Sequence, residues 1–179
     1  LQTVVSRLNS AGIPYMLTGS MAAAIHGAGR ATLDIDVVIE ADAERLRELV
    51  ASLSGPEFYV SDEAVMDAIA HESMFNVVEV HTGWKADLII RKSRPFSESE
   101  FARRRPVVLD DIELWVVSVE DLIIAKLEWA RLGGSARQIE DVSRLIRAAG
   151  GELNAEYLNR WVGQLGLQSE WQLAKQSAR

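Results

Sequence analysis

Asp34 and Asp36 are two positions apart on a strand-like run, Leu33-Asp34-Ile35-Asp36-Val37-Val38-Ile39. Side chains alternate faces along a strand, so the two carboxylates share one face about 7 Å apart. Ile35, Val37 and Ile39 then turn the other way, into a core. Carboxylates at that spacing can share divalent cations. Mg²⁺ binds through one or two carboxylates plus substrate phosphates, and a paired metal site keeps attacking and leaving oxygens in line.

The residues before this run fit the same chemistry. Tyr15-Met16-Leu17 reads as a short buried strand, Thr18-Gly19-Ser20 as a turn, and Met21-Ala22-Ala23-Ala24-Ile25-His26 as the start of a helix. A strand, a glycine turn and a helix N-terminus place backbone N–H groups and a hydroxyl where a polyphosphate can dock. Gly19 would let a phosphate approach the backbone. Ser20 would supply the hydroxyl, or act only as a helix N-cap.

Two further charges stand in apolar surroundings. Asp87 is embedded in Trp84-Lys85-Ala86-Asp87-Leu88-Ile89-Ile90, an expensive position unless it is paired or metal-bound. Lys126 falls on the apolar stripe of Val119, Leu122, Ile123, Leu127 and Ala130. A lysine there either snorkels outward along its stem or points into a cleft beside the carboxylates, and the cleft is the favoured expectation.

Gly19-Ser20, Ala24-Ile25-His26-Gly27 and Arg30-Ala31-Thr32-Leu33-Asp34-Ile35-Asp36 together resemble the signature of the nucleotidyltransferase superfamily that includes DNA polymerase beta. The closer similarity is to a small bacterial branch of predicted nucleotidyltransferases and abortive-infection toxins of toxin–antitoxin systems. It covers residues 15–40 well. Ser118-Val119-Glu120-Asp121-Leu122-Ile123-Ile124-Ala125-Lys126-Leu127, with 137–145 after it, is similar to the helical tail of that branch.

The resemblance implies a minimal nucleotidyltransferase fold of the α+β class, a mixed sheet flanked by helices. It also implies transfer of a nucleoside monophosphate from an NTP to a hydroxyl of an RNA or protein acceptor. Asp34, Asp36 and Asp87 would hold two Mg²⁺ ions, with Asp87 as the base that activates the hydroxyl and Glu79 as its competitor across a hairpin. Gly19, Ser20, Lys126, Arg30 and Thr32 would surround the triphosphate, although Arg30 has the alternative of bracing its loop. A toxin role would bring an antitoxin as partner. The alternatives are an enzyme of the aminoglycoside-adenylating sort and a catalytically silent nucleotide- or partner-binding module.

These residues must be positioned by a scaffold that the pattern outlines. Helical stretches are expected over 1–10, 20–27, 43–54 and 63–70, and strands over 15–18, 33–39 and 58–60. Hairpins join 75–81 to 84–91 through Thr82-Gly83, and 107–109 to 112–117 through Asp110-Asp111. From 119 onward the periodicity is helical, over 119–131, 136–148, 154–164 and 168–176. The expected organisation is a catalytic core over 1–117 and a helical region over 118–179 packed on it.

Composition bounds the rest. A chain of 179 residues with 48% hydrophobic residues can bury a proper core. No run reaches the 18 or more apolar residues of a membrane span, and no signal peptide is visible. The absence of cysteine excludes disulfides and zinc-thiolate sites and leaves the cytoplasm as the default location. A chain opening on Leu1 is expected to lack some native N-terminal sequence.

A net charge of −7 argues against a general nucleic-acid binder. Yet residues 91–105 carry six basic side chains, Arg91, Lys92, Arg94, Arg103, Arg104 and Arg105, against two acidic ones. They form either a solvated loop and short helix or a patch for the acceptor's phosphates. Asp141, with Arg137, Glu140 and Arg144 around it, reads as part of a solvated ion-pair face. His26, His71 and His81 lack metal-ligand spacing and read as structural, and Trp129, Trp161 and Trp171 as helix-packing residues.

Overall fold

A computed structural model describes residues 1–29, 32, 34–53 and 55–178. Its elements run in the order α1 (Gln2–Ser10), β1 (Tyr15–Thr18), α2 (Gly19–Ile25), β2 (Asp34–Ile39), α3 (Ala43–Leu53), β3 (Phe58–Val60), α4 (Asp62–His71), β4 (Met74–Glu79) and β5 (Lys85–Ile90). There follow α5 (Pro95–Ala102), β6 (Arg105–Leu109), β7 (Ile112–Val116), α6 (Val119–Gly133), α7 (Ala136–Ala149), α8 (Ala155–Gln164) and α9 (Gln168–Ser177). This is the α+β architecture expected, with helices flanking one mixed sheet.

The sheet order is β3-β4-β5-β2-β1-β7-β6. β2 pairs parallel with β5 and β1 parallel with β7, and the other neighbours are antiparallel. The register sets Asp36 opposite Thr18 on one side and opposite Asp87 on the other. Period-2 alternation does the rest. Ile35, Val37, Ala86 and Leu88 are buried on one face, where α1 and α3 pack, and the aspartates turn to the other, under α6.

Local chemistry explains the element ends. Ser118 Oγ accepts from the Asp121 N–H at 3.2 Å, and Glu120 and Asp121 occupy the positive end of α6. Asn154 caps α8 by accepting from the Tyr157 N–H at 2.9 Å. At the β6–β7 turn Asp110 and Asp111 both take positive φ, the hairpin geometry that Asp tolerates.

The segment 91–105 holds the short helix expected of it, but that helix is packed into the core rather than solvated. Pro95 opens an eight-residue helix whose Phe96, Ser97, Glu100 and Phe101 are buried, and Phe96 meets Trp161 of α8 edge-on at 5.2 Å. One continuous core runs from α1 through the sheet to α9.

Candidate functional site

The floor of the site is made by β2 and β5. Asp36 is half-buried and Asp87 is 7% exposed, side by side in register on parallel strands, with Asp34 exposed at the start of β2. Burial first, and then the neighbouring Asp87 and Asp34, push the Asp36 carboxyl above its ordinary value, while Lys126 and the Ser20 backbone N–H pull it back. Asp87 is oriented by two donors on Oδ1, Asn76 Nδ2 at 2.6 Å and Lys85 Nζ at 3.1 Å. The bond to Asp87 raises the Lys85 ammonium above its usual range.

Glu79 is placed elsewhere. On β4 the partners of Asp87 and Lys85 are Asn76 and Val78, so Glu79 has the opposite parity and lies on the sheet face covered by α1, bonded to Thr82.

Gly19 has φ of +66°, and a Cβ there would stand 1.9 Å from Asp36 Oδ2. Its missing side chain therefore makes room for the carboxylate itself. Ser20 lies one residue inside α2 and Thr18 takes the cap position, so Ser20 is not the N-cap. Thr32 Oγ1 accepts from the Asp34 N–H at 3.2 Å and holds the entry to β2. Arg30 lies outside the described residues.

Helix α6 roofs the cleft with Leu122, Ala125, Lys126 and Trp129. Lys126 is 4% exposed and its ammonium meets Asp141 Oδ2 at 2.8 Å and Gln138 Oε1 at 3.2 Å. It lines the cleft as favoured and does not snorkel. Asp141, expected on a solvated face, is instead buried, because its helix α7 packs directly on α6; of its neighbours in sequence, Arg144 and Glu140 form an exposed pair.

The cleft encloses about 290 Å³ and gathers Gly19, Ser20, Thr32, Asp34, Asp36, Asp87 and Lys126. A larger cavity of about 680 Å³ between α7 and α9 contains none of them. Among the described residues no three Asp, Glu, His or Cys side chains close into a metal cage. The donor set nevertheless suits a hard dication, which takes one or two carboxylates and completes its shell with phosphates and water.

Residues that the sequence reading passed over also stand here. Asn76 and Lys85 hold Asp87. Trp129, expected to pack between helices, is 59% exposed at the mouth of the cleft. Its place three residues beyond Lys126 on α6 was a usable signal. Trp161 and Trp171 are buried as expected.

The six basic residues of 91–105 divide. Arg94 makes a two-pronged pair with Glu128 at 2.7 and 2.6 Å, Arg103 bonds Asp121 and Glu120 across the α6 N-terminus, and Arg104 stacks on Phe101. Arg91 pairs with Glu40, while Lys92 and Arg105 are exposed. Arg103, Arg104 and Arg105 do not line the carboxylate cleft.

Solved structures share this architecture. An antigenic nucleotidyltransferase-like protein from Paracoccidioides brasiliensis is 19% identical, with a TM-score of 0.60 over 97% of this chain and 89% of that one. ANT(2")-Ia in complex with adenylyl-2"-tobramycin is 17% identical, with a TM-score of 0.57 over 94% of each chain. The lincosamide antibiotic adenylyltransferase LnuA, lincomycin-bound, is 10% identical, with a TM-score of 0.54 over 80% of this chain and 92% of that one. Among proteins with curated descriptions, none matches the sequence significantly. The match to a family model spans residues 2–164, which takes in every element lining the cleft, and by that match the chain belongs to the family described as nucleotidyltransferase of unknown function (DUF6036).

Proposed function

We propose that the protein transfers a nucleoside monophosphate from an NTP to an acceptor hydroxyl and that Asp34, Asp36 and Asp87 hold two Mg²⁺ ions while it does so. The observation that carries this is the in-register pairing of Asp36 with Asp87 at the floor of a cleft roofed by Lys126. Bound Mg²⁺ would neutralise charge on the triphosphate and the leaving pyrophosphate. Asp87, held by Asn76 and Lys85, takes the proton of the acceptor hydroxyl. The hydroxyl oxygen bonds to the α-phosphorus as the bond from that phosphorus to the bridging oxygen breaks, and pyrophosphate leaves. Gly19, Ser20, Thr32 and Lys126 position the triphosphate, Lys126 with the one ammonium proton that Asp141 and Gln138 leave over. Catalysis of this kind is mainly positioning and charge neutralisation, so few groups suffice.

For the acceptor, the sequence resemblance favours RNA or protein, with toxin action restrained by an antitoxin as the setting. One observation favours a small molecule instead: most of the basic side chains in 91–105 are bonded internally, which leaves no broad phosphate-binding face. The two solved antibiotic adenylyltransferases are of that kind. Incubation with each labelled NTP, Mg²⁺ and a cell extract decides between them. A labelled macromolecule supports the first reading and a labelled small product the second. Binding of Mg-NTP with no labelled species in any extract would leave the silent module.

A further inference from the structure

The carboxylate cleft has a neighbour. A compartment of about 170 Å³ shares Thr18, Ile89, Ala125 and Trp129 with it, so the two adjoin along β1, β5 and α6. The outer wall is formed where the chain leaves β5, by Arg91, Lys92 and Arg94, with Ser97 and Glu100 from α5 and Glu128 from α6.

The two spaces differ in charge. Three aspartates line the cleft, and its lysine is neutralised by Asp141. In the compartment Glu128 is spent on Arg94, and burial pushes the Glu100 carboxyl up to about 8, so it is mostly neutral at pH 7. Arg91 keeps Glu40 as partner outside the lining, with Glu98 at 4.0 Å, and Lys92 is exposed, near the Glu72 carboxylate, and forms no salt bridge within 4.0 Å among the described residues. With Arg94 offset by Glu128 and Arg91 by Glu40, Lys92 is the cation that the compartment sets beside a negative cleft.

Resting on the transferase reading above, we infer that this compartment seats the acceptor and selects a small hydroxyl compound that carries a phosphate. Its volume equals five or six waters at about 30 Å³ each, room for a sugar-sized body. Asp87, Ile89 and Arg91 follow one another at two-residue steps, so roughly 13 Å of strand separates the base from the first cation. A sugar together with a long basic side chain spans that distance. Lys92 takes the phosphate as a point charge, while Arg91, its guanidinium engaged by Glu40, shapes the wall beside it, and the exposed indole of Trp129 covers the ring. A hydroxyl at the other end of the sugar then lies beside Asp87, in line with the NTP.

The test uses the full chain with Mg²⁺ and the α,β-methylene analogue of each NTP, titrated calorimetrically with ribose 5-phosphate, ribose or inorganic phosphate. Ribose 5-phosphate is expected to bind at least fivefold more tightly than either control, and Lys92→Ala is expected to weaken it at least fivefold with NTP affinity unchanged. Failure to bind, equal binding of inorganic phosphate, or indifference to Lys92→Ala overturns the inference. A second arm replaces the analogue with labelled NTP and offers ribose 5-phosphate, unphosphorylated ribose or a short RNA with a free 3′ hydroxyl. Label on ribose 5-phosphate that falls with Lys92→Ala supports the inference, whereas label on the RNA in its place overturns the small acceptor and identifies a nucleic-acid end as the source of the phosphate. Lys92-dependent binding with no label on any acceptor keeps the compartment and sinks the transferase reading. Label on an unphosphorylated acceptor, unaffected by Lys92→Ala, does the reverse.

Discussion

A methyl group on Gly19 would collide with the Asp36 carboxylate, and the positive φ at Gly19 disfavours any L side chain. Gly19→Ala is therefore expected to cost about 1–3 kcal/mol for the backbone alone and to displace Asp36. Urea unfolding and labelled transfer should both report it. A variant with wild-type stability and activity would mean that the loop tolerates the clash. Burial and two neighbouring aspartates both push the Asp36 carboxyl upward. Asp36→Asn removes that repulsion with little change of shape, so melting temperature should stay equal or rise while transfer is lost. A folded Asp36→Asn protein that still transfers nucleotide would remove Asp36 from the chemistry.

At the scale of elements, α6 and α7 are joined by a buried ion pair, and α5 carries a buried acid. Asp141→Asn removes the carboxylate that neutralises the buried Lys126 ammonium, a change that typically costs about 3–5 kcal/mol. The double variant Lys126→Met with Asp141→Leu should recover most of this in urea melts. It should still bind NTP at least tenfold more weakly in calorimetry, about 1.4 kcal/mol. Recovered stability with unchanged NTP affinity would leave the pair a purely structural one. Glu100 offers a pH test. Burial raises its carboxyl in the folded protein from 4.5 to about 8, so the folded state binds the proton more tightly than the unfolded chain does. Stability must then fall as pH rises from about 4.5 to 8. Glu100→Gln should flatten that slope and exceed the parent at pH 8 by an amount on the order of 4 kcal/mol. Parallel pH curves for parent and variant would place the charge elsewhere.

For the whole molecule, the core decides how the two regions behave. Leu122, Ile123, Ile124 and Leu127 of α6 belong to the same buried cluster as the strands, and α8 presses Trp161 on Phe96. We propose that the catalytic core over 1–117 and the helices over 118–179 unfold as one unit. A single transition should be seen by both tryptophan fluorescence and far-ultraviolet circular dichroism. A fragment of residues 118–179 should be largely unfolded by itself. Two separated transitions would restore them as independent domains.

What the sequence by itself determined was local. The strand, glycine turn, helix and second strand from Tyr15 to Ile39 follow from apolar runs and period-2 alternation, interactions between residues near in the chain. That is why Asp34 and Asp36 were legible as a pair and why the hairpin turns and the four C-terminal helices fell within a few residues of their places. The family signature lies in the same stretch. Tertiary structure decided what depends on register and on distant packing. Asp87 rather than Glu79 stands beside Asp36 because the register sets Asp87 opposite Asp36 on β2 and opposite Asn76 on β4, an odd number of residues from Glu79, which therefore points to the other face. Asp141 is buried because α7 packs on α6, and its neighbouring charges in sequence gave the contrary impression. The arginines of 91–105 are divided between internal partners and an open wall by residues as distant as Glu40 and Tyr157. A charge in a sequence has no fixed partner; the fold assigns one through contacts between segments far apart in the chain, and local periodicity carries no information about them.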